Sequence, residues 1–132
     1  MQITVDHVIR FIERAAALIR DHAAELTELD TVIGDADHGA NLNRGFSAVV
    51  VKLDTFQESD IGAILDMTGK TLLATVGGAS GPLYGTAFRC AGRTCVRTPG
   101  LWTPSNCARI VIRLRGRSEN RICGIMMATM PF

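Results

Sequence analysis

The sequence has no uninterrupted apolar run near the roughly 18 residues that span a bilayer, and Asp6 and Glu13 interrupt the apolar positions of its N-terminal stretch. A membrane segment is therefore not expected, and the chain reads as a soluble, cytoplasmic protein. Lysine is scarce, with only Lys52 and Lys70, and none of the four cysteines (Cys90, Cys95, Cys107, Cys123) falls in the first 89 residues. Their spacing fits no common paired zinc knuckle, and disulfides are rare in the cytoplasm, so free thiols are expected. What remains is ordinary for one small domain: 132 residues, 47% of them apolar, enough for a core.

Charge is divided unevenly. Residues 1–88 hold four Arg and two Lys against twelve acids, a net of −6, whereas residues 89–132 hold eight Arg against Glu119 alone, a net of +7. The first part shows helical periodicity and no strand pattern. Val8, Phe11, Ile12, Ala15 and Ile19 recur at three- and four-residue steps behind Thr4, a fitting N-cap. Leu42, Phe46, Val49, Val50 and Leu53 predict a second helix from near His38 to before Gln57. Asp60 caps a third, whose buried side carries Ile61, Leu65, Leu72 and Val76 and which Gly77-Gly78 stops. A fourth is predicted to start at Pro82, where the missing N–H costs nothing, with Ser80 or Gly81 as its cap.

The chemistry falls in the loops before the second and fourth helices. Asp30, Asp35 and Asp37 lie within eight residues, and no Lys or Arg occurs between Arg20 and Arg44 to balance them. Mg²⁺ is a hard ion shared between a few carboxylates, waters and substrate phosphates, which suits such a group. Helix capping is the rival role for Asp35 and Asp37. Gly34 and Gly39 favour the metal, since glycine permits backbone paths that converge side chains. An EF-hand fails, because Gly39 and Phe46 stand where that loop needs oxygen ligands. His38, Gly39, Ala40 and Asn41 follow at a helix start, where unpaired N–H groups and the positive dipole end attract phosphate. His7 and His22 have no such neighbours and read as ordinary helix positions.

The second loop, Gly77-Gly-Ala-Ser-Gly-Pro-Leu-Tyr-Gly85, again sets glycines and a hydroxyl before a helix. It lacks the Gly-Lys-Ser/Thr of a Walker A loop and the preceding strand of a dinucleotide fingerprint. As a bare turn it serves equally as a helix connection or as a ligand loop.

Together, residues 29–46 (Leu-Asp-Thr-Val-Ile-Gly-Asp-Ala-Asp-His-Gly-Ala-Asn-Leu-Asn-Arg-Gly-Phe) and 76–88 (Val-Gly-Gly-Ala-Ser-Gly-Pro-Leu-Tyr-Gly-Thr-Ala-Phe) resemble the nucleotide-binding subunit of dihydroxyacetone kinases. The resemblance covers residues 1–88. It implies an all-α fold in which antiparallel amphipathic helices form part of the family's helical barrel, followed by an irregular C-terminal tail. It also implies Mg²⁺ on Asp30, Asp35 and Asp37, and ADP or ATP against His38, Gly39, Ala40, Asn41, Ala79 and Ser80. In the phosphotransferase-system form, bound ADP is rephosphorylated by a phosphohistidine carrier. The phosphoryl group then passes to dihydroxyacetone on a separate subunit. That form is preferred here over the ATP-dependent fused kinases, for which this chain has no room. Some members also contact a transcription regulator. No general base is assigned, because phosphoryl transfer asks mainly for positioning and charge neutralisation.

Residues 89–132 depart from the family pattern. The Gly-Asp-Lys-Thr-Met type segment and the late Gly-Arg and Asp-Pro-Gly region are missing, and an Arg-, Cys- and Pro-rich stretch takes their place. Out-of-frame translation after codon 88 accounts for this change, and a gene whose other frames lack the missing segments rules it out. On that view the chain is a truncated relic or a non-catalytic nucleotide-binding protein. The eight arginines also admit a nucleic-acid-binding arm. The reading without nucleic acid is preferred, because aromatic residues barely interleave them and Arg109–Arg115 alternates with Ile110, Ile112 and Leu114 as an exposed strand does.

Overall fold

Thr4 opens the first helix as its sequence position predicts. Its hydroxyl accepts from the His7 N–H while the Thr4 N–H donates to His7 Nδ1, and α1 runs over Val5–Asp21. The computed structural model describes residues 3–32, 34–56 and 60–97. In it α1 is followed by α2 (Ala23–Asp30), α3 (His38–Leu53) with a 3₁₀ turn at Asp54–Phe56, α4 (Ile61–Thr75) and α5 (Ser80–Arg97). The described residues contain no strand, so the chain is all-α. None of these helices is long and apolar enough to cross a membrane.

The predicted stripes meet in one core. Ile12, Phe46, Val49, Ile64 and Leu72 are fully buried, with Val8, Ile19, Leu42, Leu53 and Leu65 around them. Phe46 stands edge-on to Phe88, ring centroids 6.2 Å apart, an aromatic contact between α3 and α5. Asp60 caps α4 by accepting from the Ala63 N–H at 2.8 Å. α4 and α5 run antiparallel at close range, because glycines seven residues apart on each helix meet across the seam. A Cβ on Gly92 would stand 2.7 Å from the Gly62 carbonyl oxygen, and one on Gly69 2.5 Å from that of Gly85. Neither position can carry a side chain.

Three sequence expectations change. α2 was not foreseen: Ala-Ala-Glu-Leu-Thr-Glu-Leu-Asp has no apolar stripe, none of its residues is buried, and no side chain caps it. α5 begins at Ser80, not at Pro82. Pro82 sits within the first turn, where N–H groups have no intrahelical acceptor, and the first bond runs from Leu83 to the Ala79 carbonyl. α5 also continues through Phe88 and Arg89 to Arg97, because Phe88, Ala91, Gly92 and Cys95 keep the inward spacing. The irregular tail expected from residue 89 thus starts as helix. Cys90 and Cys95 are not joined by a disulfide. Trp102, Cys107, Cys123 and the Arg109–Arg115 strand lie outside the described residues.

Candidate functional site

The three aspartates come from three different local structures. Asp30 is the last residue of α2, Asp35 lies in the loop, and Asp37 is the N-cap residue of α3. One carboxylate oxygen from each falls within 4.8 Å of the others. The backbone enforces this convergence. The Gly34 N–H donates to the Asp30 carbonyl at 2.7 Å, the Asp37 N–H donates to Asp30 Oδ2 at 3.2 Å, and Ala36 takes a left-handed φ of 59° between them. That conformation is costly for alanine, and such strain concentrates at functional sites. Gly34 leaves room for the Asp30 carboxylate, which a Cβ there would displace. Capping does not explain the cluster, because the Asp37 carboxylate makes no cap hydrogen bond.

Asp35 titrates above the ordinary carboxylate range. A side-chain hydrogen bond with Asp37 is the main cause, joined by the negative charges of Asp37 and Asp30 and opposed by a bond to its own backbone. Ligand atoms on one octahedral Mg²⁺ lie at most about 4.2 Å apart. Three carboxylates already within 4.8 Å reach that spread by side-chain rotation alone, and their hard oxygens match the ion's preference. The donor set fits Mg²⁺.

Across a cavity of about 410 Å³ from these acids lies the turn Gly77-Gly78-Ala79 and the first residue of α5, Ser80. Gly78 has φ +63° and open space around it, so the turn depends on glycine's freedom and not on its small size. The Ser80 hydroxyl bonds His38 Nδ1 at 2.9 Å and joins the starts of α5 and α3. His38 Nε2 is buried without a partner, an orphan that a ligand group would satisfy. The first intrahelical bond of α3 runs from Asn41 to Asp37, so the N–H groups of His38, Gly39 and Ala40 have no intrahelical acceptor. Two helix N-termini therefore open onto a cavity that three carboxylates also face, a place for an anion and a cation side by side.

Seven of the nine residues singled out in the sequence line this cavity: Asp30, Asp35, Asp37, His38, Asn41, Ala79 and Ser80. Gly39 and Ala40 do not. Gly39 faces α2, where a Cβ would collide with the Ala23 carbonyl, and Ala40 is exposed. Sequence reasoning missed Arg44, whose guanidinium holds Asn41. The Asn-x-x-Arg spacing on a helix was the available signal. Size alone would select another place. A cavity of about 530 Å³ lies among Lys52, Phe56, Asp66, Met67 and Lys70, but its one acid is already paired with Lys70 and Arg89.

The described residues form an all-helical domain in which two helix N-termini and a carboxylate triad face one cavity. The chain belongs to the DAK2 domain family, which matches residues 32–112. It is 49% identical over 98 residues to the PEP-dependent dihydroxyacetone kinase ADP-binding subunit DhaL of Escherichia coli, covering 74% of this chain and 47% of that protein. It is 40% identical over 96 residues to the PTS-dependent counterpart of Lactococcus lactis, covering 73% and 50%. With the ADP-binding subunit of PEP-dependent dihydroxyacetone kinase 2 of Listeria innocua it shares 46% identity over 127 residues, covering 91% and 59%. The chain thus spans about half the length of the curated relatives it matches.

Proposed function

We propose that this chain is the Mg²⁺- and ADP/ATP-binding part of a dihydroxyacetone kinase. In that role it relays a phosphoryl group from a phosphohistidine carrier, by way of its bound nucleotide, to dihydroxyacetone held on a partner subunit. The observation that carries the reading is the convergence of Asp30, Asp35 and Asp37 opposite the start of α5, with the start of α3 between them. The names of the relatives, ADP-binding subunits of PEP- or PTS-dependent kinases, support the same substrate class and dependence on partners.

The division of labour follows from the donors. Asp30, Asp35 and Asp37 would hold Mg²⁺, which when bound neutralises phosphate charge. The free N–H groups at the start of α3 would attract phosphate through the positive end of the helix dipole, and His38, the Asn41 amide and the Ser80 hydroxyl, which line the cavity, would orient it. His38 serves as a fixed hydrogen-bonding group, because Ser80 holds its Nδ1. Phosphoryl transfer asks mainly for positioning and charge neutralisation, so the contribution of this chain to catalysis is positional and electrostatic and no general base is assigned to it.

Equilibrium titration of the purified 132-residue chain with Mg·ADP tests the reading. Micromolar or tighter binding is expected, lost in Asp35→Ala and in EDTA. A parent chain that binds no nucleotide, or an Asp35→Ala variant that binds as well as the parent, overturns it. Turnover with added substrate-binding and phosphocarrier subunits then tests the relay itself.

A further inference from the structure

We infer that Arg44 is a positioning residue for the nucleotide: it sets the orientation of the Asn41 amide and ties the start of α3 to the turn that precedes α5. The inference rests on the nucleotide reading above and assigns a role outside the nine residues already considered. Arg44 Nη2 donates to Asn41 Oδ1 at 2.6 Å, and its Nε donates to the Thr75 carbonyl oxygen at 3.1 Å. A guanidinium has five donors and no acceptor. Whichever way the Asn41 amide might otherwise turn, the atom facing Arg44 must therefore be the oxygen. The NH₂ group is left on the other fork of the amide.

Asn41 is only 7% exposed and lines the cavity. Its amide lies against the turn, since a Cβ on Gly77 would stand 3.3 Å from Nδ2. Among the described residues no protein group accepts from that nitrogen. Arg44 thus makes this wall of the cavity a pair of N–H donors, complementary to phosphate oxygens and wrong for a cationic group. The second bond fixes the turn. Thr75 ends α4, and its carbonyl is one of those a helix terminus leaves without an intrahelical donor. Arg44 supplies that donor from α3 across 31 positions of sequence. One exposed side chain, itself not part of the cavity lining, braces both of its walls.

The test compares Arg44→Gln, whose amide can present either an acceptor or a donor, with Arg44→Lys, which remains donor-only. Arg44→Gln is expected to weaken Mg·ADP binding about tenfold, the scale of one oriented hydrogen bond. Arg44→Lys is expected to recover most of that loss. If Arg44 acts through Asn41, Arg44→Gln combined with Asn41→Ala binds no more weakly than Asn41→Ala alone. Affinity of Arg44→Gln within twofold of the parent overturns the inference, and losses that multiply in full in the double variant overturn the orienting role through Asn41, the bond to the Thr75 carbonyl then accounting for the loss; either result leaves the nucleotide reading intact. One arm needs no nucleotide: in the ligand-free chain, Arg44→Gln and Arg44→Lys are each expected to shift the side-chain NH₂ resonances of Asn41. Unchanged resonances reject the orienting role even if the parent proves not to bind nucleotide, an outcome that would separately reject the functional reading.

Discussion

Gly39→Ala adds one methyl group at the point where α3 crosses α2, and the structure sets its cost. The new Cβ would sit within 2 Å of the Ala23 carbonyl oxygen (1.9 Å), 2.8 Å from its carbon and 2.7 Å from Thr27 Oγ1. Ordinary C···O contact begins at about 3.3 Å, so α2 must recede by about 1.4 Å, and the obstacle is backbone that no rotamer change removes. Two terms oppose each other. Alanine is favoured over glycine inside a helix by roughly 1 kcal/mol, less in a first turn, while overpacking costs about 1–3 kcal/mol. A net loss of about 1–2 kcal/mol is expected, which lowers the melting temperature by about 4 °C for each kcal/mol in a chain of this length. The larger effect falls on the site, because α2 ends in Asp30. On the proposed reading, a carboxylate displaced by more than 1 Å no longer reaches a Mg²⁺ ion that bonds at about 2.1 Å, and Mg·ADP binding should weaken by about tenfold or more. Thermal melting and Mg·ADP titration of the same variant measure both effects. A Gly39→Ala chain that melts with the parent and binds Mg·ADP equally well would refute the α2–α3 contact and the bracing role assigned to α2. Ala40→Ser, on the neighbouring exposed position, is the control and should melt within about 0.5 kcal/mol of the parent.

Two further predictions follow from carboxylates shifted in opposite directions. Asp66 is held below its usual range, first by its hydrogen bond from Lys70 and then by that from Arg89, which docks α5 on α4. A depressed acid contributes stability above its unfolded pKa and loses it as pH falls through the folded one. Asp66→Asn should therefore cost on the order of 0.5–1 kcal/mol at neutral pH, a modest figure because Lys70 is largely exposed. In urea melts the gap from the parent should narrow below about pH 4, and a gap that stays constant there would contradict the network. Asp35, raised by Asp37, has the opposite sign: its favourable contribution exists at low pH and is lost as pH rises through the folded value. Without metal, Asp35→Asn should melt higher than the parent at neutral pH and lose that advantage on acidification. A lower melting point at neutral pH would show that the aspartate pair does not repel.

How much could be read without coordinates depended on whether a feature was encoded by neighbours in the chain. The stripes of α1, α3 and α4 were legible because burial imposes helical spacing, and Val8, Ile12, Phe46, Val49 and Leu72 are buried as that spacing requires. The aspartates were legible because all three lie within eight residues, so one loop brings them together. α2 left no such trace: no residue of it is buried, and its role is to present a backbone carbonyl to Gly39. The bonds from His38 to Ser80 and from Arg44 to the Thr75 carbonyl span 42 and 31 positions, and one ends on a backbone atom that sequence does not distinguish. What sequence hides here is the bracing of the site, made of helix–helix approach and long-range polar contacts. The acids and the glycine turn announce the chemistry. Whether they converge is decided by Gly39, Arg44 and a helix with no stripe of its own. Substitutions at these bracing positions should therefore weaken ligand binding while every residue that faces the ligand stays unchanged.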